Sequence, residues 1–261
     1  MNKAHQIGVL RQALASLDPF GESGRHGVFT LGAGPVDAAL GGGLARGAVH
    51  EIYPAQAFDI AAAAGFMTGL TLRAARENCV VWIRHRRVEI ETGGLYAHGL
   101  AEMGLAPRNL VVVVVDDIVD GLRAALDALR CSGLGSMVLE SWGASRHLDL
   151  TASRRLSLAA QESGVTGFVL RAMAAPEASS AMTRWQIGAA PSLDAPGLVG
   201  RGAIYARLLR QRSGKADAYW TLEWNHESHH FSQQALSGAL SAPYLDRPAG
   251  PHRASGWARA G

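Results

Sequence analysis

The stretch 110–130 is LVVVVVDDIVDGLRAALDALR, and it joins two patterns that together indicate an α/β fold. Residues 110–115 are all apolar, which is typical of a strand buried on both faces of a parallel sheet. The apolar residues of 118–130 recur at the spacing of one helix face, and they are Val119, Leu122, Leu126 and Leu129. A buried strand followed at once by an amphipathic helix is the repeating unit of a parallel sheet covered by helices.

The same alternation extends outward from this unit along most of the chain. Further strands are predicted at 48–53, 79–83, 137–139 and 167–170, and further helices at 58–77, 93–103 and 151–162. Beyond residue 183 only strands are predicted, at 184–189, 203–211, 219–224 and 229–232, with a turn at 225–228 that makes the last two a hairpin. The sequence therefore predicts an α/β fold with three layers, α/β/α, whose mostly parallel central sheet carries an antiparallel C-terminal flank.

The two ends of the chain differ from this core, which we place at residues 28–242. Residues 1–27 are predicted to be a helical arm and linker, because apolar residues including Leu10 and Leu14 recur at helical spacing before Asp18-Pro19. Residues 243–261 contain three prolines, three glycines and three arginines, which predicts a disordered basic tail. The apolar stripe of the arm needs a covering partner, so Leu10 and Leu14 are candidate docking residues.

Composition limits the classes of function without selecting one. A net charge of +3 is compatible with nucleic-acid binding but does not require it. The two cysteines, Cys79 and Cys131, do not form a C-x-x-C pair, so no zinc or disulfide framework is indicated and a reducing cytoplasm is expected. The apolar run 110–115 is far too short to cross a bilayer, so no membrane association is expected.

The connection after the strand at 48–53 is where a parallel α/β fold of this kind would hold nucleotide phosphates, on a glycine-rich loop that carries a lysine. Here that connection has no glycine, no lysine and no Ser or Thr for magnesium. Its residues are Pro54, Ala55, Gln56, Ala57, Phe58, Asp59, Ile60 and Ala61. The Asp59 carboxylate would lie where an anion should bind, so we expect an eroded site with no nucleotide, metal or other cofactor. The glycines at 41–43 precede the strand and are interpreted as a connecting turn.

Several segments resemble one family. The stretch 30–53, with VDAALGGGL at 36–44, is similar to the start of a RecA core, and the likeness continues through 95–97, 104–105 and 109–110. Arg154-Arg155-Leu156, the stretch GFVLR at 167–171 and Trp185 are similar to segments of the ImuA family. These are RecA-like relatives encoded beside a translesion polymerase, and the resemblance spans roughly residues 28–235.

The resemblance implies a non-catalytic accessory protein of SOS-induced, error-prone translesion DNA synthesis. Its partners would be the ImuB polymerase-like scaffold and, as a second candidate, RecA, with weak or no direct DNA binding. The loops at 143–150 and 172–183, which contact single-stranded DNA in RecA, are short here. Three alternatives stay open: a cell-division inhibitor like SulA, an NTPase with an unusual site, and a plain DNA-binding module.

Basic residues supply the other candidate contacts. Where a RecA-like ATPase carries the acid that activates water, this chain has Arg84-His85-Arg86-Arg87, while Glu140 stands where the magnesium-binding acid would be. Arg84, Arg86 and Arg87 could contact a partner or DNA, or form a solvated loop. Arg207, Arg210, Arg212 and Lys215 lie on or just past a predicted strand, as a contact surface or as charges that protect an edge. His226, His229 and His230 lack the supporting ligands of a metal site and are expected at the surface.

Overall fold

A computed structural model describes residues 26–191, 202–212, 214 and 217–233. Lys215, the arm residues Leu10 and Leu14, and the tail 243–261 lie outside the described residues. The division of the chain into arm, core and tail therefore stays a prediction. Within the described part of the chain, no helix combines the length and the apolar character needed to cross a bilayer.

Strands are interspersed with helices up to residue 172, and the described residues after it form strands and their connections. The helices are α1 (Gly34–Ala39), α2 (Ile60–Ala75), α3 (Arg86–Thr92), α4 (Ala97–Met103), α5 (Ile118–Arg130) and α6 (Leu150–Ser163). The strands are β1 (Val28–Phe29), β2 (Leu44–Ala45), β3 (Val49–Pro54), β4 (Val80–His85), β5 (Leu110–Val115), β6 (Ser136–Trp142), β7 (Thr166–Ala172), β8 (Thr183–Ala190), β9 (Ala203–Gln211), β10 (Ala218–Asn225) and β11 (His230–Gln233). Two short 3-10 helices lie at Ala57–Asp59 and Pro107–Asn109.

One nine-stranded sheet organises the domain, in the order β11-β10-β9-β8-β3-β7-β6-β4-β5. The six strands β8, β3, β7, β6, β4 and β5 run parallel to one another. The three strands β9, β10 and β11 pair antiparallel. This arrangement confirms the predicted mixed sheet with its antiparallel C-terminal flank.

Each face of the sheet buries its own apolar cluster, which is the reason for three layers. The cluster beneath α2 is aromatic and includes Phe66, Trp82 and Trp185. The cluster beneath α5 and α6 is aliphatic and includes Leu129, Leu139 and Leu156. Successive residues of a strand point to opposite faces, so Trp82 and Ile83 on β4 belong to different clusters.

The predicted C-terminal hairpin is present, and its turn is stabilised by the asparagine that opens it. The Asn225 side-chain oxygen accepts hydrogen bonds from the backbone N–H groups of Glu227 (2.9 Å) and Ser228 (3.0 Å). A short polar side chain that bonds the backbone two residues later is a local signal for a turn. Beyond the turn, Phe231 packs against Trp224 and against Phe66 of α2, which seats the hairpin on the helical layer.

Two features of the sheet differ from the sequence prediction. Strand β5 was expected to be covered on both faces, but it is the edge strand, and Val111 and Val112 are 49% and 45% exposed. The basic run 84–87 was interpreted as a contact site or a solvated loop, but Arg84 and His85 end β4, and Arg86 and Arg87 open the helix α3, which the His85 side chain caps. Strand order depends on contacts between distant segments, so a local apolar pattern cannot distinguish an edge strand from a central one.

A buried histidine ties three strands together. His50 of β3 is fully buried, and its Nε2–H donates to the Ala45 carbonyl of β2 (2.9 Å). Its Nδ1 atom therefore accepts from the Thr183 hydroxyl of β8 (2.8 Å), which in turn accepts from Trp185 Nε1–H (2.9 Å). Burial disfavours the charged imidazolium and lowers the pKa of His50 to about 4.

This pKa shift predicts an acid-sensitive stability. Because the folded pKa lies below the unfolded value near 6.5, the unfolded chain binds the extra proton, and stability is lost as the pH falls from 6.5 towards 4. The His50 contribution is about 3 kcal/mol over that interval. Urea unfolding between pH 7 and pH 4 should therefore show a shallower pH dependence in His50→Gln than in the parent chain. The exposed His147→Gln is the control, and parallel curves for parent and His50→Gln would contradict the assignment.

Candidate functional site

The segment where phosphates would be held is folded tightly against β8. Pro54 ends β3, the 3-10 helix Ala57–Asp59 follows, and α2 begins at Ile60 and Ala61. The Ala55 N–H donates to the carbonyl of Ile187 (2.7 Å), and the Asp59 N–H donates to the carbonyl of Gln56 (3.0 Å). The backbone of this connection thus bonds to the protein itself, while Phe58 projects into solvent.

Asp59 supplies an anion from within the chain. Its side chain is buried, and its Oδ2 atom accepts from the Gln56 N–H (3.1 Å) while Oδ1 accepts from the Ala189 N–H (2.8 Å). Backbone N–H groups at the start of a helix are the groups that bind phosphate in nucleotide sites. Here two N–H groups beside the start of α2 are already bonded to a carboxylate, which joins the connection to β8.

Two buried side chains of opposite charge, on the adjacent strands β4 and β6, neutralise each other. Arg84 of β4 lies opposite Glu140 of β6, and the Nε–Oε2 distance is 2.5 Å, with side-chain exposures of 5% and 2%. Arg84 also donates to the carbonyl of Gly93 (3.1 Å) and to the Thr92 hydroxyl (3.4 Å), so the pair anchors the end of α3. The carboxylate expected to face a magnesium ion is therefore held by an arginine.

Burial is the main influence on the pKa of the Glu140 carboxyl. It raises the pKa of the Glu140 carboxyl, and the Arg84 guanidinium opposes this shift. A buried carboxylate that loses its partner is left with an uncompensated charge. The pair is consequently a structural unit of the sheet, and Arg84 is not available as a surface contact, contrary to the expectation from its sequence.

The other candidate arginines do not form one patch. Arg86 pairs with Asp116, and Arg87 pairs with Glu91 (3.1 Å), at the end of β4. The second group lies on or beside β9, five strands away, or roughly 24 Å at the usual strand spacing. There Arg207 pairs with Asp217 (2.7 Å), and Arg210 donates to the Ser179 carbonyl (2.8 Å). Arg212 lies just beyond β9. Its backbone N–H donates to the carbonyl of Met182 (2.9 Å), which, like Ser179, lies in the loop between β7 and β8.

A second buried polar cluster was not predicted from the sequence. Glu51 of β3 accepts, at Oε2, hydrogen bonds from Ser179 Oγ (2.8 Å), Arg184 Nε (3.0 Å) and the Tyr53 hydroxyl (3.3 Å). Burial, and then the Glu51 charge, raises the pKa of Tyr53 to about 12, so its hydroxyl stays protonated as a donor. Arg171 is also buried and lies over the Tyr53 ring at 5.9 Å.

This cluster fixes the loop that connects β7 to β8. Besides the Ser179 contacts, the Ser180 N–H donates to Ser153 Oγ of α6 (3.0 Å), and the Met182 N–H donates to the Val49 carbonyl of β3 (2.7 Å). The loop is therefore held by the sheet and by a helix at once. The available signal in the sequence was the presence of Glu51 and Arg171 inside strands that are otherwise apolar, because charges buried in a sheet need internal partners.

The histidines of the C-terminal hairpin serve packing and hydrogen bonding. His226 bonds through Nδ1 to the Glu102 carbonyl (3.1 Å), and His229 stacks on Trp224. Among the described residues, no group of three side chains suited to a metal ion is found. Asp149 caps α6 by accepting from the Ala152 N–H (2.7 Å), so it is engaged structurally.

Comparison with solved structures defines the class of the fold. The crystal structure of the RadB recombinase superposes with a TM-score of 0.52 at 14% sequence identity, covering 80% of this chain and 100% of that one. At such low identity the likeness establishes the fold alone, and the chain has a RecA-like fold. No protein-family model matches the sequence.

Sequence comparison defines the family. The chain is 34% identical over 221 residues to Protein ImuA from two strains of Caulobacter vibrioides, covering 77% of this chain and 85% of each relative. The chain belongs to the ImuA family. This confirms the resemblance.

The buried pair makes a prediction about stability. Arg84→Met leaves Glu140 buried without a partner, so the free energy of unfolding should fall by about 3–5 kcal/mol. Replacing both residues, in Arg84→Met/Glu140→Leu, removes the uncompensated charge and should recover most of this loss. Urea unfolding at neutral pH measures both variants.

The exposed pair on α3 supplies the matched control. Arg87→Met should change the free energy of unfolding by less than about 0.5 kcal/mol. A double variant less stable than Arg84→Met alone would show that the pair does not act as a compensated unit.

Proposed function

We propose that this chain is a non-catalytic, RecA-like accessory protein of SOS-induced, error-prone translesion DNA synthesis. It acts through protein contacts, with the ImuB polymerase-like scaffold as its main partner and RecA as a second candidate. The observation that carries the non-catalytic part is the Asp59 carboxylate bonded to the Gln56 and Ala189 N–H groups. Membership of the ImuA family supports the association with damage-induced mutagenesis.

Three chemical requirements of a RecA-like ATPase are replaced in this chain. The phosphate loop has neither glycine nor lysine in residues 54–61. The anion position is served by Asp59, whose negative charge would repel a phosphate. The acid on β6 is bound by Arg84. Phosphoryl transfer depends on positioning and on charge stabilisation by cations, so these replacements remove its basis.

The open edge of the sheet supports action through protein contacts. Strand β5 has β4 on one side, and among the described residues no strand pairs with its other side. Residues 110–115 carry no charge and no proline, the devices by which proteins protect an edge strand from pairing. A partner segment could add to this edge as a further strand, with backbone hydrogen bonds and apolar contacts to Val111 and Val112.

The distribution of arginines supports weak or no direct DNA binding. Arg86 and Arg207 are each paired with an aspartate, and they lie on strands or strand ends far apart in the sheet. Strong non-specific binding to DNA needs many cations on one surface, because affinity grows with the number of phosphates neutralised. A net charge of +3 gives little support for such a surface.

Isothermal titration with ATP and magnesium tests the non-catalytic part. We expect no binding heat up to millimolar nucleotide, because the N–H groups of Ala55, Gln56 and Asp59 are engaged and residues 54–61 contain no Lys or Arg. A RecA-like ATPase with an intact phosphate loop, titrated in the same buffer, is the positive control. Micromolar binding would overturn the proposal and favour an NTPase with an unusual site.

Surface plasmon resonance with purified ImuB tests both ImuB as the partner and the β5 edge as the surface that it contacts. Val112→Lys places a charge on the open edge and should weaken ImuB binding by about tenfold or more, which corresponds to about 1.4 kcal/mol. Val28→Lys, at a similarly exposed valine of β1, should leave binding unchanged. Failure of the parent chain to bind ImuB would reject this partner. Equal binding by the parent chain and by Val112→Lys would show that ImuB does not contact the β5 edge.

A further inference from the structure

The face of the sheet opposite α2 carries a groove between α5 and α6. The groove has a volume of about 400 Å³ and is formed by the first halves of both helices and by the residues that precede α6. It lies apart from the eroded nucleotide position, which is at the start of α2. Neither the ATPase chemistry nor the edge of β5 accounts for it.

The floor of this groove is apolar because the sheet covers only part of the α5 stripe. Leu129, at the end of that stripe, is fully buried, as is Leu156 on α6. Val119, Leu122 and Leu126 belong to the same stripe but are only half-buried, and they line the groove. An amphipathic helix normally buries its whole apolar face. Leu122 and Leu126 therefore pack only partly against the aliphatic cluster and leave apolar surface at the helix junction.

The rim of the groove is positively charged. Three exposed arginines line it, one on α5 and two at or before α6, and they are Arg123, Arg146 and Arg155. Arg123 is paired with Asp120 (2.8 Å), whereas Arg146 and Arg155 form no ion pair within the described residues. The one acid in the lining, Asp149, is occupied as the cap of α6.

We propose that this groove, which we call the α5–α6 groove, binds an amphipathic helix with acidic flanks that belongs to a partner protein. Leucine-like side chains one helical turn apart would cover the half-buried floor, as in other helix-in-groove complexes. Carboxylates beside them would meet Arg146 and Arg155, which matches opposite charges across the interface. The inference concerns a surface separate from the β5 edge and stands independently of the identity of ImuB as a partner.

The composition of the groove favours a protein over a nucleic acid. Binding of single-stranded DNA usually combines basic residues with large aromatic side chains on which bases stack, and the lining residues include no Phe, Tyr or Trp. A phosphate backbone laid across the rim would leave Leu122 and Leu126 facing water. The chain's own residues 3–18 carry an apolar stripe, but their charged groups include Lys3 and Arg11, which the arginine rim would repel.

Fluorescence anisotropy on the full chain tests the proposal. The probe is a labelled helical peptide with leucines at positions i, i+3, i+4 and i+7 and glutamates beside them. The comparison peptide has lysines in place of the glutamates. We expect the glutamate peptide to bind and the lysine peptide to bind at least roughly tenfold more weakly. Equal binding of the two peptides, or no binding of the glutamate peptide, would overturn the proposal.

Charge-matched variants locate the site. Arg146→Glu/Arg155→Glu should weaken binding of the glutamate peptide by roughly tenfold. Arg108→Glu/Arg130→Glu changes the net charge equally at exposed positions outside the groove and should have less than about a twofold effect. The uncharged change Leu122→Gln should also weaken binding, with circular dichroism confirming that each variant is folded. An equal loss in both double variants would indicate non-specific attraction and reject the site.

Three further measurements test where the peptide binds and which molecule is the natural occupant. Hydrogen exchange should show protection of 118–126 and 146–156 when the glutamate peptide binds, and protection confined to other segments would contradict the assignment. If Leu10→Asp/Leu14→Asp raised the affinity for the peptide, the N-terminal segment would be the natural occupant and the partner assignment would fail. Single-stranded DNA that bound at the same arginines in place of the peptide would also overturn it.

Discussion

The central sheet depends on one constraint: a charged side chain that is buried away from water must be paired within the protein. Both faces of the central strands are covered, so every ionic group buried among them needs a partner inside the protein. Arg84 and Glu140 meet across β4 and β6, while Arg184 reaches Glu51 from β8 to β3. His50 satisfies the same constraint differently, because it stays neutral and bonds through both ring nitrogens. These contacts cross between strands and therefore fix which strands are neighbours.

The same constraint accounts for the contacts of Asp59 and Glu140, at the positions where a RecA-like ATPase would hold nucleotide and magnesium. A phosphate loop without phosphate would leave backbone N–H groups without acceptors, which is costly when they are buried. Asp59 accepts from the Gln56 N–H of this connection and from the Ala189 N–H of β8, and Arg84 removes the need for a metal beside Glu140. In each case the chain supplies the charge that a ligand would supply in a RecA-like ATPase. The proposed loss of nucleotide is thus accompanied by internal replacements that keep the fold stable without it.

Local patterns predicted the order and type of most elements, because burial on both faces and helical spacing are visible in short segments. The hairpin at 225–228 was predictable for the same reason, since its asparagine acts within the turn. Partners distant in sequence were not predictable. Arg84 belonged to a basic run and was expected at the surface, but its partner Glu140 lies on another strand. Likewise, the apolar run of β5 does not reveal an edge, because strand order is set by the whole chain.

The two surfaces inferred for partners are neighbours in the fold. Helix α5 follows β5 directly, packs on β4, β5 and β6, and forms one wall of the α5–α6 groove. A partner that added a strand at the β5 edge would therefore end close to the groove, within reach of a short linker. Linked contacts of this kind gain affinity, because binding at one surface raises the effective concentration at the other. Of the two exposed valines of β5, Val111 lies on the face of the sheet that α5 covers and Val112 lies on the face beneath α2, so a partner strand would contact both faces while only the first adjoins the groove.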